Sequence, residues 1–197
     1  GISCITYIEG KKMNKKRALI GSGNTFFKDE GIGLYAVKYI KEKYSFKPEV
    51  DFVDGGTLGF LLMPLLQEFD EVIIVNTASD DEKNAGEITI KTCDEFLDGN
   101  LIKKTANEVE IAEMLQICSL TENMANTTVI SIVPEDIISV NVGLSDSLKT
   151  AWPKYIKTIL AMIEHSGVEI KELDDPISLE EVLETFANPS LEYNKGF

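Results

Sequence analysis

The chain has 197 residues, enough for one domain with a sizeable core. With 33 acidic against 19 basic residues, a net charge of -14, it lacks the clustered Lys and Arg that a nucleic-acid backbone or an anionic membrane surface requires, so neither is expected as a partner. No apolar run approaches the roughly 18 residues of a membrane span, and Cys4, Cys93 and Cys118 are far apart without CxxC spacing, which argues against a disulfide framework or zinc site and for a reducing cytoplasm.

Met13 directly precedes NKKRALIGSGN, where a first strand should begin, so residues 1–12 are expected to be a vector-derived or upstream leader. The apolar run ALI then leads into glycines, and 32–44 reads as an amphipathic helix with Leu34, Val37, Ile40 and Tyr44 near helical spacing. VDFVDGG (50–56) predicts a second strand, and LGFLLMPLLQEF (58–69) an apolar helix bent or started at Pro64. EVIIVNT (71–77) is apolar on both sides, as a parallel strand buried under two helical layers should be. EITIK alternates like an antiparallel or edge strand. NEVEIAEMLQICSL (107–120) predicts a helix burying Val109, Ile111, Ala112, Leu115 and Ile117, with Asn107 as a candidate N-cap and Glu110 at the capping-box position. TTVISIVP (127–134) is a further buried strand. A long helix over 144–167 follows, with Ser145 as candidate N-cap, Gly167 just past its end, and Pro153 expected to kink or split it.

Strands alternating with helices imply a three-layer α/β/α domain over 13–170, with a mostly parallel twisted sheet and helices on both faces, phosphorylase/hydrolase-like in layout. Residues 171–197 differ, forming an acidic C-terminal extension in which Ser178 and Glu181 set up a capping box for a short amphipathic helix. Such a helix is too short to stand alone in water.

The stretch GSGNTFFKDEGIG (21–33) decides the functional reading. A dinucleotide fold wants a third glycine where Phe26 stands, and the GK[ST] of a phosphate-binding loop is missing. In an open parallel sheet the carboxyl ends of the strands converge on one crevice. Here those ends carry Gly23, Asn24, Asp29 and Glu30, then Asp54, Gly55, Gly56 and Thr57, then Asn76. No GxSxG, HExxH or usefully spaced Cys-His pair exists, and His165 is the single histidine, so no catalytic side chain can be assigned.

Several stretches in fixed order make the chain resemble the maturation endopeptidases of nickel-iron hydrogenases: GxGNxxxxDEGIG at 21–33, VDGGTLG at 53–59, VIIVNT at 72–77, AGEITI at 85–90 and VPEDIISVNVGLSDSLKTA at 133–151. The resemblance implies removal of a C-terminal extension from the hydrogenase large-subunit precursor after nickel insertion. It also implies that nickel arrives on the substrate, with no tightly bound cofactor of the protein's own. Three metal-contacting positions carry over. The glutamate is Glu30, whereas the aspartate position holds Asn76 and the histidine position holds Asn107. Gly23, Asn24, Asp29, Asp54, Gly55, Gly56 and Thr57 are expected to contact substrate. One anion and two neutral amides suit nickel less well than two carboxylates and an imidazole. A non-catalytic chaperone or checkpoint that holds the precursor without cutting it is therefore the alternative. A monomer is expected.

Each residue also has a structural reading. Asp29 and Glu30 suit a first helical turn through the helix dipole, Asp54 to Thr57 could be a strand-ending turn, and Asn107 could simply be a cap.

Overall fold

The computed structural model describes residues 15–56, 62–98, 105–121, 124–175 and 177–189. Its frame is a five-stranded sheet built from β1 (Arg17–Ser22), β3 (Asp51–Gly56), β4 (Glu71–Thr77), β5 (Ile88–Thr92) and β6 (Asn126–Ile132), in the order β3-β1-β4-β6-β5. All neighbours run parallel except β5, which pairs antiparallel with β6 at one edge, as its alternating sequence implied.

Period-two alternation sends successive strand residues to opposite helical layers. Leu19, Val75, Ile130 and Ile132 pack with α1 (Ile32–Lys43), α5 (Asp146–His165) and α6 (Leu179–Ala187). Ala18, Ile20, Val72, Ile74 and Val129 pack with α2 (Met63–Glu68), α3 (Cys93–Leu97) and α4 (Ala106–Cys118). Each fully buried aliphatic side chain contributes roughly 1.5–3 kcal/mol relative to exposure, so both faces of the sheet must be covered. The three-layer expectation is met.

The elements differ from the sequence reading in several places. The first helix ends at Lys43, and Tyr44 opens β2 (Tyr44–Lys47), which pairs antiparallel with β7 (Glu169–Glu172) as a separate two-stranded sheet. Pro64 sits in the first turn of α2, where a missing N–H costs nothing, and the segment 57–61 lies outside the described residues. Helix α4 buries Ile111, Ala112 and Leu115 as expected, together with Met114 and Cys118, but Val109 and Ile117 are exposed, because they fall outside the stripe Asn107, Ile111, Leu115 and Cys118. Helix α5 runs unsplit through Pro153, held by the buried side chains Leu148, Trp152, Tyr155, Ile156, Ile159 and Ile163. In the extension, α6 docks on α1, with Val182 and Leu183 buried and Phe186 in an edge-to-face contact with Tyr35 at 5.2 Å. Among the described residues no helix is long and apolar enough to cross a membrane.

Candidate functional site

The glycine-rich stretch closes on itself at the carboxyl end of β1. The N–H of Gly23 donates to the carbonyl of Gly56 (2.9 Å), and that of Asn24 to the carbonyl of Glu30 (3.2 Å). Gly23 has φ +147°, and a Cβ there would stand 1.9 Å from the Glu30 carbonyl oxygen. Any larger residue would push the Glu30 segment away. The glycine is there to let Glu30 close over the strand end, and not to admit a phosphate.

The acidic pair divides its duties. Asp29 is fully buried, and one of its oxygens accepts from the N–H of Ser145 (2.7 Å) while the other accepts from the Ser145 hydroxyl (2.7 Å) and the N–H groups of Glu135 (3.0 Å) and Asp136 (2.9 Å). This corrects the expectation that Asp29 contacts substrate. Its carboxylate ties the loop leading into α5 to the turn that carries Glu30. Ser145 is the N-cap residue of α5, but its side chain serves Asp29 rather than the helix. Glu30, in the short 3-10 turn Lys28–Gly31, is half-buried. Burial raises its pKa, and the negative charge of Glu108 raises it further.

The two asparagines lie beneath. Asn76 and Ser131 are register partners on β4 and β6. Ser22 on β1, Asn76 and Ser131 continue the alternation that places Ala18, Ile20, Val72, Ile74 and Val129 against α4, so they form a polar row at the end of that face. The Ser131 hydroxyl donates to Asn76 Oδ1 (2.6 Å), while Asn76 Nδ2 is buried without a partner. Asn107, 8% exposed, donates from Nδ2 to Ser22 Oγ (2.9 Å) across from α4. It is not the cap. Thr105 is, accepting from the N–H of Glu108 (3.2 Å), which leaves the Asn107 side chain free to turn inward to the strand end.

Asp54 is exposed on the outer strand, Gly55 is buried, and the Gly56 carbonyl receives Gly23 N–H and the Ser22 hydroxyl (3.4 Å). Thr57 lies outside the described residues. Asn24 is half-buried, its side-chain oxygen accepting from the N–H of Phe26 (3.0 Å). His165 ends α5 beside Arg17, at the opposite end of the sheet. Among the described residues no three His, Cys, Asp or Glu side chains cluster as a metal cage.

Sequence reasoning missed Glu108. It is 1% exposed, and its Oε1 accepts from the N–H of Ser79 (2.7 Å) and the hydroxyl of Thr105 (3.3 Å). The signal was present as T-x-x-E at 105–108, a capping box two residues ahead of the one favoured.

The arrangement defines a three-layer α/β protein with polar side chains gathered at the carboxyl ends of its parallel strands, the end at which such folds bind their ligands. A family model described as hydrogenase maturation protease (HycI) matches residues 34–162. The Escherichia coli K12 hydrogenase 2 maturation protease is 25% identical over 152 residues, spanning 77% of this chain and 92% of that protein. The Wolinella succinogenes protein HydD is 28% identical over 144 residues, 72% of this chain and 91% of that one. The solved structure of the E. coli hydrogenase maturating endopeptidase HybD superposes with a TM-score of 0.71 at 22% identity, over 80% of this chain and 97% of that chain. The Thermococcus kodakarensis [NiFe] hydrogenase maturation protease HybD gives 0.62 at 20% identity, over 75% and 98%, and both structures show the fold. The chain belongs to the hydrogenase maturation protease family.

Proposed function

We propose that this protein binds the nickel-loaded C-terminal region of a hydrogenase large-subunit precursor in the crevice lined by Glu30, Asn76 and Asn107, and that removal of the C-terminal extension follows. The observation that carries the reading is Glu30 itself. A half-buried carboxylate is held at the end of β1 by a turn that only glycine permits, and the Asn76 and Asn107 amides bond Ser131 and Ser22 at the same ends of the strands. Nickel here is cargo on the substrate, and the crevice supplies oxygen atoms that sense it. Asn24, Asp54 and Gly56 are the accessible positions that would form the docking rim, and the complex is one monomer on one precursor in the cytoplasm.

A second reading is favoured by the amides. With one carboxylate of the expected set retained, the crevice grips a divalent cation less tightly, which suits a checkpoint that holds the precursor without cutting. One assay separates the two. Purified precursor, with and without nickel, is incubated with the protein, and the extension is followed by mass. Nickel-dependent shortening that Glu30→Ala abolishes supports the protease. A stable complex whose mass never changes supports the checkpoint, and absence of both overturns the reading.

A further inference from the structure

A groove of about 570 Å³ runs between the Glu30 turn and the C-terminal helix. Its lining joins Lys28, two residues before Glu30, with the loop 141–144, Lys149 of α5, and the face of α6 that carries Leu183, Glu184 and Ala187. The volume lies within the range of roughly 300–1,000 Å³ usual for sites that hold a ligand.

The walls are tied together before anything binds. The Lys28 N–H donates to the Asn141 carbonyl (3.0 Å), which fixes the loop to the Glu30 turn. The Gly143 N–H donates to the Tyr35 hydroxyl (3.3 Å), and the Tyr35 ring meets Phe186 edge-on at 5.2 Å, which fixes the same loop to α6. Val182 and Leu183 are buried, so α6 is a firm wall. It lies beyond the span that the family model covers.

The groove also has a chemical character. Leu144 and Leu183 give it an apolar floor, and Ala187 is exposed beside them. Lys28 already has Asp136 at 3.9 Å, and Lys149 has Glu180 at 3.8 Å. Among the described residues Glu184 has no cationic partner, and it stands one helical turn from Glu180, where like charges repel. A basic side chain in the groove satisfies both acids.

We infer that this groove takes the C-terminal extension of the precursor as an extended peptide, an apolar side chain resting on Leu144 and Leu183 and a basic one meeting Glu184, so that α6 selects which precursor is accepted. The inference rests on the proposed docking of the precursor at Glu30. A chain that continues past a residue seated there reaches Lys28 within about two residues of extended backbone.

The test compares two probes, the nickel-free precursor, which the proposed reading leaves uncut, and the same protein ending before its extension. Binding to the full-length protein is followed by calorimetry. Wild type prefers the longer probe about tenfold or more. Glu184→Lys combined with Ala187→Arg, both at exposed positions and expected to keep the thermal midpoint, abolishes that preference and leaves affinity for the shorter probe unchanged. Glu184→Gln alone, the milder change, lowers the preference about threefold. Equal affinity of wild type for the two probes, binding to neither, or an undiminished preference in the variants overturns the inference. Sedimentation that shows a wild-type dimer and a monomeric double variant, with precursor affinity intact, gives the groove to a second copy and also overturns it. A chain that prefers the longer probe through α6 but never shortens the nickel-loaded precursor sinks the proposed proteolysis alone. Shortening by wild type and double variant at equal rates sinks the groove alone.

Discussion

At the scale of single residues, position 23 has the sharpest constraint. Its φ of +147° lies outside what side chains adopt readily, and a Cβ would meet the Glu30 carbonyl oxygen at 1.9 Å. Backbone strain and steric displacement act together, so Gly23→Ala should lower unfolding stability by at least about 2 kcal/mol. Urea denaturation measures this, and a midpoint within error of wild type would refute the geometry. The sequence showed that a glycine turn and an acidic pair stand together, but not which acid turns inward. Asp29 and Glu30 are adjacent in an irregular turn, where no periodicity assigns faces, and only the long-range bonds of Asp29 to Ser145, Glu135 and Asp136 reveal the division. Glu108 was legible only in part: T-x-x-E at 105–108 marks a helix start, but the burial of its carboxylate shows only through its bond from the Ser79 N–H.

At the scale of elements, the start of α4 decides how Asn107 and Glu108 are used. Thr105 accepts from the Glu108 N–H at 3.2 Å, and its hydroxyl also reaches the Glu108 carboxylate. Removing it leaves an N-terminal amide without its acceptor, so Thr105→Ala should destabilise by about 1 kcal/mol and Thr105→Ser by much less. Unfolding followed by circular dichroism checks the pair. Equal losses in both variants would mean the hydroxyl does not cap. The long parallel strands could be read from their sequences because burial on both faces leaves continuous apolar runs such as VIIV in β4. Strands β2 and β7 could not. Each has four residues, none of them fully buried, and they exist only by pairing with one another from distant parts of the chain. Helix α3 is five residues long, too short for a period to register, although its Thr92 and Glu95 form a full capping box.

At the scale of the whole molecule, two phenols lock the α5 and α6 side of the sheet. Tyr155 donates to the carbonyls of Asn76 (3.3 Å) and Ile130 (3.2 Å), joining α5 to two neighbouring strands directly behind the crevice. Tyr35, also fully buried, stacks edge-on with Phe186 of α6 and accepts the Gly143 N–H at 3.3 Å. Burial raises both pKa values, that of Tyr35 to about 12 and that of Tyr155 further. The folded state thus favours the neutral phenol more strongly than the unfolded chain does. Its contribution is complete below the ordinary tyrosine pKa of about 10 and declines as pH rises from there towards the folded values. The net charge of -14 works in the same direction, because losing lysine protons over the same range increases self-repulsion. Salt distinguishes the two effects, since it screens surface charge but not a buried phenol. In an alkaline titration followed by phenolate absorbance and far-ultraviolet circular dichroism, part of the tyrosine signal should therefore appear only as secondary structure is lost. That coincidence should persist at high ionic strength. Full tyrosine ionisation in a still-folded chain would show that neither phenol is sealed, and that the wall behind Asn76 is open to water.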